Sequence, residues 1–161
     1  MKTISQHGFV AVIKNTQTGQ HLLRSTRFFD INEVICPFSA KEIRAEPNYL
    51  TVQVGDNKHI TLQPEFLQYT NHSCAPNAFF DTMAMQLSCV KTIKEGDEIT
   101  FFYPSSEWAM EQPFTCHCGA PECLGTIQGA AYLPMKVLEK YRLTDFIHQK
   151  IKPFSNEDPS V

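Results

Sequence analysis

Three cysteines, Cys116, Cys118 and Cys123, stand in a C-x-C-x4-C arrangement that encloses His117, Gly119, Ala120, Pro121 and Glu122. Thiolates this close in sequence can share one tetrahedral zinc ion, and Gly119 and Pro121 suit a tight loop between them. Structural zinc takes four ligands, so one must come from elsewhere. Cys74 is the best supplier, because ligation would pin its own loop beside the C-terminal segment; His117, Cys36 and Cys89 are rivals. His117 lies awkwardly between two ligands, and Cys36 and Cys89 sit in strand-like surroundings where an inert buried thiol is the default. Two further stretches carry candidate chemistry. Asn71-His72-Ser73-Cys74-Ala75-Pro76-Asn77 is a polar loop fixed by Pro76, and Gly96-Asp97-Glu98-Ile99-Thr100-Phe101-Phe102-Tyr103 is a strand that delivers a tyrosine at its end. Alone, the first reads as turn chemistry and the second as a core or edge aromatic.

The elements that must position these residues are short strands punctuated by turns. Residues 9–13 form a compact apolar run, 15–19 a turn, and 21–23 the start of another strand. Residues 34–36 follow, then Pro37. Residues 49–54 alternate apolar and polar side chains, and Gly55-Asp56-Asn57 turns them into 59–62 as a hairpin. Residues 86–90 and 98–103 are further strands, separated by the turn Lys94-Glu95-Gly96-Asp97. The C-terminal quarter changes character. After a Cys- and Gly-rich stretch from 114 to 129, Pro134 stands at a first helical position, with Val137, Leu138 and Tyr141 at helical spacing. Thr144 caps a second short helix carrying Ile147 and Ile151. The polar end, 155–161, reads as a flexible tail.

With 161 residues, 42% of them hydrophobic and 19% charged, the chain is long enough to bury one real core. Twelve Phe and five Tyr supply bulk for that core and for pockets. The net charge is -3 and no basic run occurs, so direct nucleic-acid binding is not expected, whereas a Lys- or Arg-rich peptide suits the surface. The opening MKTISQHGFVAVIKN lacks the apolar core of a secretory signal, and no stretch approaches about twenty apolar residues. The expectation is an intracellular protein, cytoplasmic or nuclear, not secreted and with no membrane partner. In a reducing compartment, six cysteines argue for metal or free thiols before disulfides.

Taken together, the Asn-His-Ser-Cys-x-Pro-Asn loop, the Gly-x-Glu-Ile-Thr-Phe-x-Tyr strand and the C-x-C-x4-C segment resemble the SET domain with its post-SET zinc loop. Residues 27–35 (RFFDINEVI) are similar to that family's early strand-turn-strand. The resemblance implies a mainly β (α+β) chain of small sheets, β-clip-like, in which one segment threads a loop made by another. It implies a SET domain over 1–113, a post-SET zinc loop over 114–129 and a C-terminal helical extension over 130–154. It further implies a protein-lysine N-methyltransferase using S-adenosyl-L-methionine (SAM) on a basic protein or peptide, histone-like substrates included. On that reading Tyr103 is catalytic, and Asn71, His72, Gly19 and Leu124 contact the cofactor. Phe101 and Tyr69 line the lysine channel, Cys74, Cys116, Cys118 and Cys123 hold Zn2+, and Phe rather than Tyr at 101 leaves room for a second or third methyl group.

Two departures stand out. The family's Gly-x-Gly turn is reduced to a single glycine, Gly8 or better Gly19, and the family's Asp before the catalytic tyrosine is Phe102. The alternative reading is a SET-fold binding protein that keeps zinc and peptide recognition but is catalytically weak or inactive.

Overall fold

The computed structural model describes residues 1–155. Its strands are β1 (Lys2–Gln6), β2 (Val10–Lys14), β3 (His21–Ser25), β4 (Val34–Pro37), β5 (Ser39–Arg44), β6 (Val52–Gly55), β7 (Lys58–Gln63), β8 (Asn71–His72), β9 (Ala78–Asp81), β10 (Gln86–Cys89), β11 (Thr100–Phe101), β12 (Phe114–Thr115) and β13 (Thr126–Ile127). Two helices follow, α1 (Met135–Leu138) and α2 (Asp145–Ser155). They build sheets ordered β1-β2-β3, β5-β7-β6 and β4-β10-β9-β11-β8, with β12-β13 as a separate ribbon. From residue 156 onward the expected tail lies outside the described residues, and Ser155 still belongs to α2.

Burial explains which segments became strands. β2 is the central strand of its sheet, and Val10, Ala11, Val12 and Ile13 are all buried. Val10, Leu23, Phe29, Ile60, Leu62, Phe80, Leu87, Ile99 and Phe101 join in one core shared by three sheets. At about 25 cal/mol per Å² of apolar surface, such side chains each stabilise the fold by about 1.5–3 kcal/mol.

Several boundaries differ from the sequence expectation, each for a local reason. The strand expected over 49–54 starts only at Val52, because Asn48 and Thr51 hold a turn: the Leu50 N–H donates to Asn48 Oδ1 (2.8 Å) and the Asn48 N–H to Thr51 Oγ1 (3.0 Å). The strand expected over 98–103 shortens to β11, since Pro104 lacks an N–H and residues 103–105 turn into a single 3-10 coil. Pro134 precedes α1 instead of opening it. Strand β5, exposed along most of its length, shows no alternation that could have signalled it. Thr144 does cap α2, its Oγ1 accepting from the Ile147 N–H at 3.4 Å.

The largest sheet contains an unusual connection. β11 pairs in parallel with β8 on one side and with β9 on the other. Strands β8 and β9 are therefore parallel to each other, yet only residues 73–77 join them. Parallel neighbours ordinarily need a crossover of about a dozen residues. Here the Ser73–Asn77 stretch arches over the end of β11, with the Ser73 N–H donating to the Phe101 carbonyl and the Asn77 N–H to the Thr100 carbonyl. This is the threaded topology, and it fixes everything at the site.

Candidate active site

The threading sets Asn71 and His72 beside Thr100 and Phe101, register partners in adjacent strands. Tyr103 follows two residues on. Its backbone N–H donates to His72 Nδ1 at 3.0 Å. That bond makes Nδ1 the acceptor, so the neutral ring carries its proton on Nε2, which points at Cys74 Sγ 3.3 Å away. Burial holds His72 down to about 4, and the ring is neutral near pH 7. The imidazole is thus spent inside the protein, linking a cysteine of the metal cluster to the backbone of Tyr103.

Tyr103 stands in an aromatic enclosure. Its ring centroid lies 4.8 Å from Phe101, 5.2 Å from His72 and 5.8 Å from Phe114. Phe101 in turn packs edge-on against Phe80 at 4.7 Å. Burial first, then the carboxylates of Glu107 and Glu98, push the Tyr103 phenol up to about 12, against a backbone hydrogen bond with His72. The hydroxyl stays protonated near neutrality, available as a dipole and donor rather than as a base.

Asn71 faces a different neighbourhood. Its side-chain amide donates to the His21 carbonyl at 2.8 Å and, more weakly, toward Glu98 Oε2 at 3.4 Å. No hydrogen bond to Asn71 Oδ1 occurs among the described residues, so a carbonyl acceptor and a carboxylate stand side by side. Glu98 is raised chiefly by burial, with Asn71 and Arg24 pulling the other way. Tyr69 stacks on His21 at 4.9 Å, which places it on the Asn71 side of the site. Gly19 sits two residues before His21 in the β2–β3 turn at φ +77, with open space where a Cβ would point.

The cysteines come together from two distant segments. The Sγ atoms of Cys74, Cys116, Cys118 and Cys123 all lie within 4.8 Å of one another, and Cys74 and Cys116 are 4.0 Å apart. A tetrahedron of thiolates about 2.3 Å from one zinc has edges of about 3.8 Å, so the set fits that ion with little adjustment. His117 is exposed, and Cys36 and Cys89 are buried in strands away from the group. Burial raises the Cys74 thiol strongly and Cys116 to about 11. Cys118 is also penalised by burial, yet hydrogen bonds with Ala120, Cys74, Cys116 and Cys123 bring it down to about 6. Thiols so opposed cannot all ionise without a cation between them. The Leu124 N–H donates to Cys74 Sγ at 3.4 Å, which puts Leu124 at the edge of the cluster.

Sequence reading missed four contributors: Glu98, Glu107, Phe114 and Tyr141. Glu98 shares a motif with Tyr103 and could have been paired with it; Phe114, two residues before Cys116, carried only the weak signal of an aromatic beside a metal loop. Glu107 and Tyr141 reach the site through contacts that no spacing rule reports. Trp108 packs with the C-terminal helices, where Leu133 and Tyr141 also lie, and so belongs to their core.

The SET domain family model matches residues 20–104. Methyltransferase flvH of Aspergillus flavus is 44% identical over 122 residues, which is 70% of this chain and 68% of that protein. The H3 lysine-36 specific histone-lysine N-methyltransferase of Saccharomyces cerevisiae is 27% identical over 124 residues, 68% of this chain but 17% of the yeast protein. The chain therefore spans about two thirds of the Aspergillus relative and under a fifth of the yeast one. Among solved structures, KRYPTONITE in complex with mCHG DNA and SAH superposes with a TM-score of 0.58 at 20% identity, covering 77% of this chain and 30% of that one. The methyltransferase domain of human SETMAR gives 0.52 at 18% identity over 73% of this chain and 57% of that one. These two likenesses bear on the fold. With a threaded β11, a tyrosine beside the Asn-His strand and a four-cysteine cluster behind it, the chain belongs to the SET-domain family.

Proposed function

We propose that this protein is a SAM-dependent protein-lysine N-methyltransferase acting on a lysine of a basic protein or peptide, with a histone as the leading substrate class. The observation that carries the reading is the parallel insertion of β11 between β8 and β9, which sets Tyr103 against the Asn71–His72 pair. The relatives named as methyltransferases, and a KRYPTONITE structure that holds an H3(1-15) peptide together with SAH, support the substrate and cofactor class. A histone substrate would place the protein in the nucleus. Among the described residues, no helix is long and apolar enough to cross a membrane.

The residues fit the group. Asn71 Oδ1 and the Glu98 carboxylate offer acceptors to a cation, and His72 contributes through its main chain, its ring being engaged elsewhere. Gly19 and Leu124 go to the cofactor side and Tyr69 to the channel in this reading; Gly19 near His21 and the Leu124 N–H on Cys74 Sγ support the first two, while Tyr69 stacks on His21 on the Asn71 side. SAM supplies, when bound, an electrophilic methyl group on a sulfonium. Phe101 and Phe114 exclude water around Tyr103, which favours a neutral lysine amine over an ammonium. The protonated Tyr103 hydroxyl orients that amine for in-line attack. The cysteine cluster with its zinc would fix β12, β13 and Leu124 as the closing wall. The same reading divides the chain into 1–113, 114–129 and 130–154, with the parts interlocked: Cys74, Tyr103 and Met110 pack into the metal-loop cluster and Trp108 into the C-terminal one.

Calorimetry with SAM, followed by mass spectrometry of basic proteins incubated with it, tests the proposal. Methyl groups on lysine are expected, and Tyr103→Phe should lower their rate by at least a hundredfold with fold and metal intact. No SAM binding would leave only the reading as a binding protein.

A further inference from the structure

The chain does not stop at the metal loop. Residues 130–151 build a small core of their own from Ala130, Leu138, Leu143, Phe146, Ile147 and Ile151. That core is tied to the segment after the tyrosine: the Ala130 N–H donates to the Glu107 carbonyl at 2.9 Å and the Thr144 N–H to the Ser105 carbonyl at 2.9 Å. One side chain reaches past these ties. Tyr141 lies flat on Phe102, with centroids 3.6 Å apart and planes 3° from parallel, and its hydroxyl donates to the Cys74 carbonyl at 2.7 Å. Phe102 immediately precedes Tyr103 and is 1% exposed, while Cys74 is a member of the thiol cluster.

We propose that Tyr141 is a positioning residue, through which the C-terminal extension couples the metal loop to the orientation of Tyr103. The chemistry of the contact supports it. A carbonyl of the cysteine that anchors the loop is held by a phenol whose ring cannot tilt without disturbing Phe102. Phe102, the departure from the family's Asp, is what makes the face-to-face stack available. His72 makes a second link between the two segments, from Cys74 Sγ to the Tyr103 N–H. Tyr103 is thus linked to Cys74 twice, directly through His72 and, by way of its neighbour Phe102, through Tyr141. This inference rests on the proposed function only for its effect on kcat; the mechanical link from Tyr141 through Phe102 and Cys74 stands apart from it.

The test uses the full zinc-loaded chain and four forms: wild type, Tyr141→Phe, Phe102→Leu and the double variant. Tyr141→Phe keeps the stack and removes one hydrogen bond. Its metal release to a chromophoric chelator should quicken about fivefold, the equivalent of one hydrogen bond. In a peptide assay well below each melting temperature, with enzyme concentration set by bound zinc and equal folded fractions confirmed by circular dichroism, its kcat should fall about threefold to fivefold with KM for peptide unchanged. Phe102→Leu should also speed metal release, and the double variant should be no faster than the quicker single one. Release effects that multiply, or a wild-type kcat in Tyr141→Phe, overturn the proposal. If the wild type proves to have no methyltransferase activity, the proposed function falls, while the release cycle still decides the link.

Discussion

Glu107 offers the sharpest pH experiment. Its carboxylate accepts from the Gln53 N–H at 3.0 Å and from the Ser106 hydroxyl at 2.6 Å, at the junction of β6 with the turn after Tyr103. Burial, opposed by those two hydrogen bonds, raises it from 4.5 to about 7. At 1.36 kcal/mol per pKa unit that gap corresponds to about 3 kcal/mol. Solvent reaches part of the residue, and screening lowers the figure to about 1–2 kcal/mol. The sign follows from linkage. Between pH 4.5 and 7 the unfolded chain ionises Glu107 while the folded one keeps it protonated, so stability falls as pH rises and levels off above 7. Glu107→Gln retains an acceptor for both donors but does not titrate. Urea unfolding of both proteins at pH 5 and pH 8 should show the wild type losing about 1–2 kcal/mol more than the variant across that interval. A difference independent of pH, or one that grows in favour of the wild type at pH 8, would refute the assignment of a protonated buried carboxyl.

Other outcomes follow from the same geometry. Gly129 has φ +114, and a Cβ there would lie 2.5 Å from the Trp108 carbonyl oxygen, so Gly129→Ala should cost about 3 kcal/mol or more in urea unfolding. Stripping the metal with a chelator should lower the melting temperature by about 10 °C or more and open residues 114–127 to protease, because buried thiols are left facing one another. Phe101→Tyr adds a hydroxyl beside Tyr103, 4.8 Å from ring to ring; mass spectrometry should show addition of a second methyl group slowed at least tenfold, about 1.4 kcal/mol.

Much of the site was legible because its parts are local. The C-x-C-x4-C spacing announces a metal loop, and Cys74 stands out among the remaining thiols by its Pro-fixed polar loop. Hairpins such as β6–β7 announce themselves through Gly55-Asp56-Asn57. Illegible were the contacts made by tertiary packing alone. Tyr141 meets Cys74 across 67 residues and Glu107 meets Gln53 across 54, and nothing in spacing encodes such pairs. The shortness of β8, β11, β12 and β13, two residues each, also hides them, since a period of two needs several turns of the pleat to be seen.

The arch formed by residues 73–77 has a kinetic corollary. Because β11 must enter between two strands already joined by so short a bridge, no local hairpin can nucleate this part of the sheet. Its pairings wait on closure of loops of some thirty residues, which is entropically slow. Pairing of the Asn71–His72 strand therefore waits on residues 100–101, and a nascent chain released before residue 101 lacks that pairing altogether.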